Sequence, residues 1–158
     1  MSATGLDTFD TSIHATNHWL KIVMQELATD NRHVALAALR ASLHALRDRI
    51  GLENAVHFGA QLPILLRGLY YENWRPAETP TRERHIEDFL DHVASMLPAR
   101  TGVSPADAAF ASFAAVAECI SNPEVLKVIK MLPKEIRPLW PSYLFDEEMD
   151  LISDGRGS

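Results

Sequence analysis

Apolar residues recur along this chain at helical spacing, and nowhere do they alternate with period two for long enough to make a strand. Phe9, Ile13, Leu20, Val23 and Leu27 fall near one face of a first helix, with Trp19 beside them. Asp7 or Thr8 is its expected cap, because a short polar side chain accepts from the free N–H groups of a first turn. Leu36, Leu39, Leu43, Leu46 and Ile50 step by 3, 4, 3 and 4, the stripe of a second helix, with Asp30 as expected cap and Gly51 as stop. A short helix is predicted over 53–60. Pro63 suits the first turn of another, which carries Leu65, Leu66, Leu69 and Tyr70. Two prolines and two threonines in and beside 73–80 mark a linker. Ile86, Leu90, Val93 and Leu97 then step by 4, 3 and 4, with Phe89 on the flank. Ser104 and Pro105 cap and open a helix over 105–120, and Pro123 and Pro133 mark the starts of short ones. The class is all-α.

Sliding the chain along itself by 70 residues aligns Trp19–Tyr70 with Phe89–Trp140 without a gap, and 12 of the 52 pairs are identical. The sharpest shared motif is Leu-Pro-x-x-x-Arg-x-Leu-aromatic, at Leu62–Tyr70 and Leu132–Trp140. The expected architecture is therefore two tandem four-helix units, 8–72 and 81–140, joined by linker 73–80 and packed as one helical domain over 8–141. Residues 1–7 form an arm. A unit of about 60 residues is marginal alone, and pairing buries the face each would expose. The halves differ in one legible way. Arg40, His44, Arg47 and Arg49 are matched by Phe110, Ala114, Ala117 and Cys119. Helix 105–120 is thus apolar nearly all round and should be the buried central helix.

Composition bounds the rest. The 158 residues are 47% hydrophobic and 23% charged, ordinary globular usage for one domain. A net charge of -6 makes a nucleic-acid partner unlikely on charge alone. Cys119 is the one cysteine, which excludes an intrachain disulfide and fits a cytoplasmic setting. The first residues show no basic or apolar secretory region, and the longest nearly apolar run, 108–117, is too short for a bilayer, so no membrane role is expected. The acidic, then Gly-containing stretch 142–158 is expected to be a mobile tail.

No Gly-x-Ser-x-Gly elbow, Gly-rich phosphate loop or His-Glu-x-x-His pair is present, and no cofactor is expected. His14 and His18, and Asp88 and His92, are i, i+4 pairs on helices that match under the repeat. Facing helices would bring four metal ligands together, whereas the simpler reading is exposed helix faces. Arg40, His44 and Arg47, with His33, lie on one side of their helix and could hold an anion. With the negative net charge, a solvated or salt-bridged face is the plainer alternative. Arg67 and Arg137, repeated in both halves, suggest a structural role in holding carboxylates or helix C-terminal carbonyls. Tyr71, Trp74 and Arg75 concentrate aromatics and an arginine at a helix end, as interaction surfaces do, or else tuck into the core edge.

The runs Thr16-Asn17-His18-Trp19-Leu20, Ala38-Leu39-Arg40, Leu43–Arg49, Gly59–Pro63, Arg67–Pro76 and Arg84-His85 with Phe89-Leu90 together resemble a bacterial family known as domain of unknown function 2267. The likeness is close over 5–97 and looser to Pro141. Where that family carries a glycine in the aromatic run, this chain has Asn73, which weakens the case for a tight turn there. The resemblance implies a compact helical protein and brings no activity, cofactor or catalytic residue. Two readings follow. The first is a non-enzymatic module binding a protein partner or itself. The second is a small-ligand- or metal-binding protein using a cleft between the two units.

Overall fold

Two side chains start the two helices at the middle of the fold. Asn31 Oδ1 accepts from the amides of His33 at 3.0 Å and Val34 at 3.3 Å. Ser104 Oγ accepts from the amide of Asp107 at 3.1 Å, and Pro105 follows as the first helical residue. The structure, a computed structural model, describes residues 3–145. In chain order α1 spans Asp7–Leu27, α2 Arg32–Arg49, α3 Leu52–Gly59 and α4 Ile64–Tyr71. A 3-10 turn over Pro76–Glu78 precedes α5, Ile86–Met96. Then come α6, Pro105–Cys119, α7, Asn122–Lys130, and a second 3-10 turn, Arg137–Leu139. Among the described residues there is no strand, and no helix is long and apolar enough to cross a membrane.

Small side chains let α2 and α6 lie against each other. Ala38, Ala41 and Ala45 on α2, and Ala108, Ala111 and Ala115 on α6, are all buried. Ser112 Oγ donates to the Ala38 carbonyl at 3.2 Å across the pair. Around it α1 packs on α6 and α2, while α5 packs on α2 and α6. Aromatic rings fill the space left over. Phe113 stacks on Trp140 with centroids 4.3 Å apart, and Phe58 meets Tyr70 edge-on at 5.6 Å. Each such fully buried ring contributes about 2–3 kcal/mol of apolar transfer.

Several local expectations shift. Leu6 is the N-cap residue of α1, in place of Asp7 or Thr8, and Asp10 instead accepts from the amide and hydroxyl of Thr4. Asn31 takes the capping role expected of Asp30, which lies one residue too early for its oxygen to meet the first amides of α2. The buried face of α1 begins at Ser12, since Phe9 is 53% exposed. The polar groups of that face are satisfied locally: Thr16 Oγ1 donates to the Ser12 carbonyl, and Ser12 Oγ accepts from the amide of Leu65 in the first turn of α4.

Among the described residues the second unit, 81–140, holds three α-helices rather than four. Where α4 would recur, Pro138 and Pro141 each remove a backbone donor, and only the turn Arg137–Leu139 forms. The core continues beyond Pro141, for Leu144 is buried. Residues 146–158, the rest of the expected mobile tail, lie outside the described residues. As expected, α6 is buried on most sides. Its partner α2, whose polar face was expected to hold an anion or else to be solvated or salt-bridged, is buried as well, with His44, Arg47 and Asp48 inside.

Candidate functional site

The polar end of α2 is buried because every charge on it has found a partner. Arg47 is 2% exposed. Its Nε donates to Asp48 Oδ1 at 2.9 Å, and its Nη1 donates to the carbonyls of Tyr70 at 2.7 Å and Glu72 at 2.8 Å. Those carbonyls lie at the C-terminus of α4, where no helical amide follows to bond them. On α5, His92 Nε2 lies 3.4 Å from Asp48 Oδ2, and its Nδ1 donates to Glu83 Oε1 at 2.6 Å. The sequence Arg47, Asp48, His92, Glu83 thus alternates in sign, which is what makes two buried and two half-buried charges tolerable.

The protonation states follow from these contacts. Asp48 and Glu83, one at each ring nitrogen, push the pKa of His92 up to about 9 against the opposing pull of burial. Burial acts to raise the Asp48 carboxyl, but the hydrogen bonds from His92 and Arg47 outweigh it and hold the group below its usual value. Glu83 follows the same balance, burial being outweighed by the His92 bond. Its second oxygen, Oε2, is buried with no partner among the described residues. His44 behaves oppositely. Burial lowers its pKa, helped by Arg47 and Arg40, against the hydrogen bond its Nε2 makes to the Leu69 carbonyl at 2.7 Å.

The chain between the halves is laced to this row. Asn73, at φ +58°, turns the backbone after α4, a left-handed position that asparagine tolerates. Further on, the Thr81 amide donates to the Asp48 carbonyl and Arg49 Nε donates to the Glu83 carbonyl, both at 2.8 Å. Residues 72–85 therefore form a strap fastened to α2 and α5.

Beside the strap opens a cleft of about 750 Å³. One wall is α2, with Leu36, Ala37, Arg40, His44 and Arg47. The other is α5, with His92 and Met96, and the strap contributes Asn73, Arg75, Glu78 and Thr81. Arg40 pairs with Glu72 at 3.2 Å and Arg75 with Glu78 at 3.7 Å, both pairs well exposed. Arg47 Nη2 makes no hydrogen bond among the described residues, although its side chain is buried and lines the cleft. The lining carries four cations, Arg40, Arg47, Arg75 and His92, against two carboxylates, Asp48 and Glu78.

The structure treats the sequence-derived candidates unequally. Arg40, His44 and Arg47 do share one wall of the cleft. Only Arg40 is exposed; Arg40 and Arg47 are salt-bridged to Glu72 and Asp48, and carbonyls at the end of α4 draw His44 and Arg47 inward, so the face is not a solvated one. Tyr71 and Trp74 tuck against the core edge with their rings 5.4 Å apart, and only Arg75 of that trio stands in solvent. His14, His18 and Asp88 are exposed. Among the described residues no three metal-capable side chains group to hold an ion, and both nitrogens of His92 face carboxylates. His18 lines a second, more open groove of about 860 Å³ between α1 and the corner before α4. Cys119 lies there too, half-buried, its thiol pushed up to about 11 by burial. Arg67 reaches the carbonyls of Gly59, Ala60 and Leu62, and Arg137 those of Lys130 and Leu132. Carbonyls are one of the two partners expected for them.

Asp48, Glu83 and Thr81 were missed. Asp48 stands next to Arg47 in the chain, a local hint, but Glu83 and His92 reach it across more than thirty residues of sequence.

A helical domain whose two halves are fastened by a partly buried row of alternating charges, beside a cation-lined cleft, is the class of protein defined here. The chain belongs to the family described as uncharacterized conserved protein (DUF2267), whose model matches residues 16–139. That span contains the whole charge row and every residue lining the cleft. A search of the curated proteins finds no match.

Proposed function

We propose that this chain is a small-molecule-binding module and that the cleft between α2, the strap and α5 is its binding site. Arg47 carries the reading. It is a buried arginine whose Nη2 has no partner among the described residues, on the wall of a cavity of about 750 Å³. That nitrogen is not among the side-chain atoms sealed from solvent without a partner, so it stands open toward the cleft and can donate to a ligand. The cavity is of the size that takes a drug-sized ligand. The charge row makes its walls rigid, which lowers the ordering cost of binding. Of the three histidines lining the cleft, His92 is held by two carboxylates and His44 by a carbonyl, and His33 is exposed.

Protein interaction through Tyr71, Trp74 and Arg75 has less support, since both aromatics pack inward. We read the two halves as copies of one unit. In support, α3 shifted by 70 residues falls on 122–129, inside α7, and Arg67 and Arg137 bond carbonyls at matching positions, Ala60 with Lys130 and Leu62 with Leu132. On that reading the cleft lies between copies and has one charged wall, because the counterparts of Arg40, His44 and Arg47 are Phe110, Ala114 and Ala117. A cytoplasmic setting accords with the single cysteine.

The test is a two-dimensional amide NMR titration with a fragment set holding neutral, cationic and anionic members. Shifts clustered at Leu36, Ala37, Arg40, Thr81 and Met96 are expected. Shifts confined to the α1 groove, scattered over the surface, or absent altogether would overturn the proposal.

A further inference from the structure

Resting on the cleft being a binding site, we propose that its ligand is a small organic molecule with a terminal oxyanion, phosphate or carboxylate, seated on Arg47 Nη2. Three independent observations converge on this. The first is the donor itself. The other nitrogens of the guanidinium are fixed by Asp48 and by the Tyr70 and Glu72 carbonyls, so the fork is held rigid with one amino group open. A planar fork held in place suits an oxyanion better than any neutral group.

The second is the charge of the lining. Four cations against two carboxylates face the space a ligand would fill, while Glu72 and Glu83, which pair with Arg40 and His92, stand behind that surface. Asp48 does not offset the cations as an open acceptor would, since Arg47 holds one of its oxygens and His92 the other. The same occupancy argues against a cation as the ligand.

The third is that two of the cations are free to change partner. Arg40 and Arg75 are held only by exposed pairs with Glu72 and Glu78. Such pairs contribute little to a fold, so both arginines can turn to a ligand without loosening it. The cavity far exceeds the size of a bare phosphate, and Leu36, Ala37, Met96 and Pro98 offer the remainder of the ligand an apolar surface.

The experiment compares phenyl phosphate, benzoate and benzyl alcohol, three probes sharing one ring, by calorimetry and amide NMR on the full chain. Phenyl phosphate and benzoate are expected to bind in the cleft, and benzyl alcohol at least about tenfold more weakly. Arg40→Gln and Arg75→Gln should each weaken phenyl phosphate about severalfold and leave benzyl alcohol unchanged. Added salt should weaken the two anions only. Arg47→Lys keeps the charge but loses the fork, and should weaken both anions by about tenfold or more. Should that variant fail to fold, the two exposed arginines and the salt series still decide the matter. Benzyl alcohol binding as tightly as the anions, with no response to Arg40→Gln, Arg75→Gln or salt, would overturn the anion proposal and leave the cleft standing. No cleft shift from any of the three probes would overturn both.

Discussion

Replacing His92 by glutamine should cost the fold most near neutral pH and least above pH 9. His92 sits between Asp48 and Glu83 with its pKa raised from 6.5 to about 9. A raised folded-state pKa contributes stability that is fully present below the unfolded value of 6.5 and is lost as pH climbs through the folded value. The window is therefore pH 6.5 to 9. At about 1.4 kcal/mol per unit, a rise of about 2.5 units is on the order of 3 kcal/mol, and the side chain is too buried, at 14% exposure, for solvent to screen most of it. For a chain of this size that corresponds to about 6–12 °C in Tm. His44 works in the other direction. Its lowered pKa contributes stability above 6.5 that is lost as pH falls, so the two histidines together place the stability maximum near pH 6.5. As pH falls below the ordinary values of 3.8 for Asp48 and 4.5 for Glu83 and on through their lowered folded-state values, protonation of the two carboxyls removes the same interaction with His92 from its other side. The assay is urea unfolding followed by tryptophan fluorescence at constant ionic strength from pH 5.5 to 9.5, for the wild type and His92→Gln. The difference between the two profiles should shrink from about 3 kcal/mol toward zero across the alkaline limb. Parallel profiles, or a difference below about 1 kcal/mol at pH 6.5, would refute the role given to His92.

Arg67→Ala and Arg137→Ala should each lower unfolding free energy by about 1–3 kcal/mol, Arg67 at the upper end because it bonds three carbonyls to the two of Arg137; denaturant titration measures both. Cys119, held at about 11, should react with a thiol reagent at pH 7.5 about a hundredfold more slowly than a free cysteine, and a rate equal to that of the unfolded chain would contradict its burial.

How much of this could be read from the chain varied with the range of the interaction. The start of α6 was legible, because Ser104 and Pro105 act within one turn of each other. So were the bounds of α3, to within a residue, and the presence of α5, marked by the apolar steps from Ile86 through Leu90 to Val93. The end of α2 suggested an anion-binding face, or else a solvated or salt-bridged one, for a physical reason. Four basic residues in ten positions look open unless their partners are known, and those partners are carbonyls at the end of α4, the Glu83 carbonyl and the carboxylates of Asp48 and Glu72. Hydrogen bonds to backbone leave no trace in composition. Tyr71 and Trp74 show the converse: aromatics beside an arginine look like a surface, yet here they close the edge of the core next to Phe58 and Tyr70. The cleft depends on how the strap lies across α2 and α5, and no spacing along the chain encodes that.

The most direct test of the cleft as a binding site is to fill it. Ala37 is half-buried on the α2 wall, away from the charge row, and Ala37→Trp places an indole in the cavity while leaving Arg47, Asp48, His92 and Glu83 in place. Calorimetric titration of phenyl phosphate into this variant, its fold verified by an unchanged circular dichroism spectrum and cooperative unfolding, is predicted to show no binding where the wild type binds. Equal affinity in the two proteins would contradict the account.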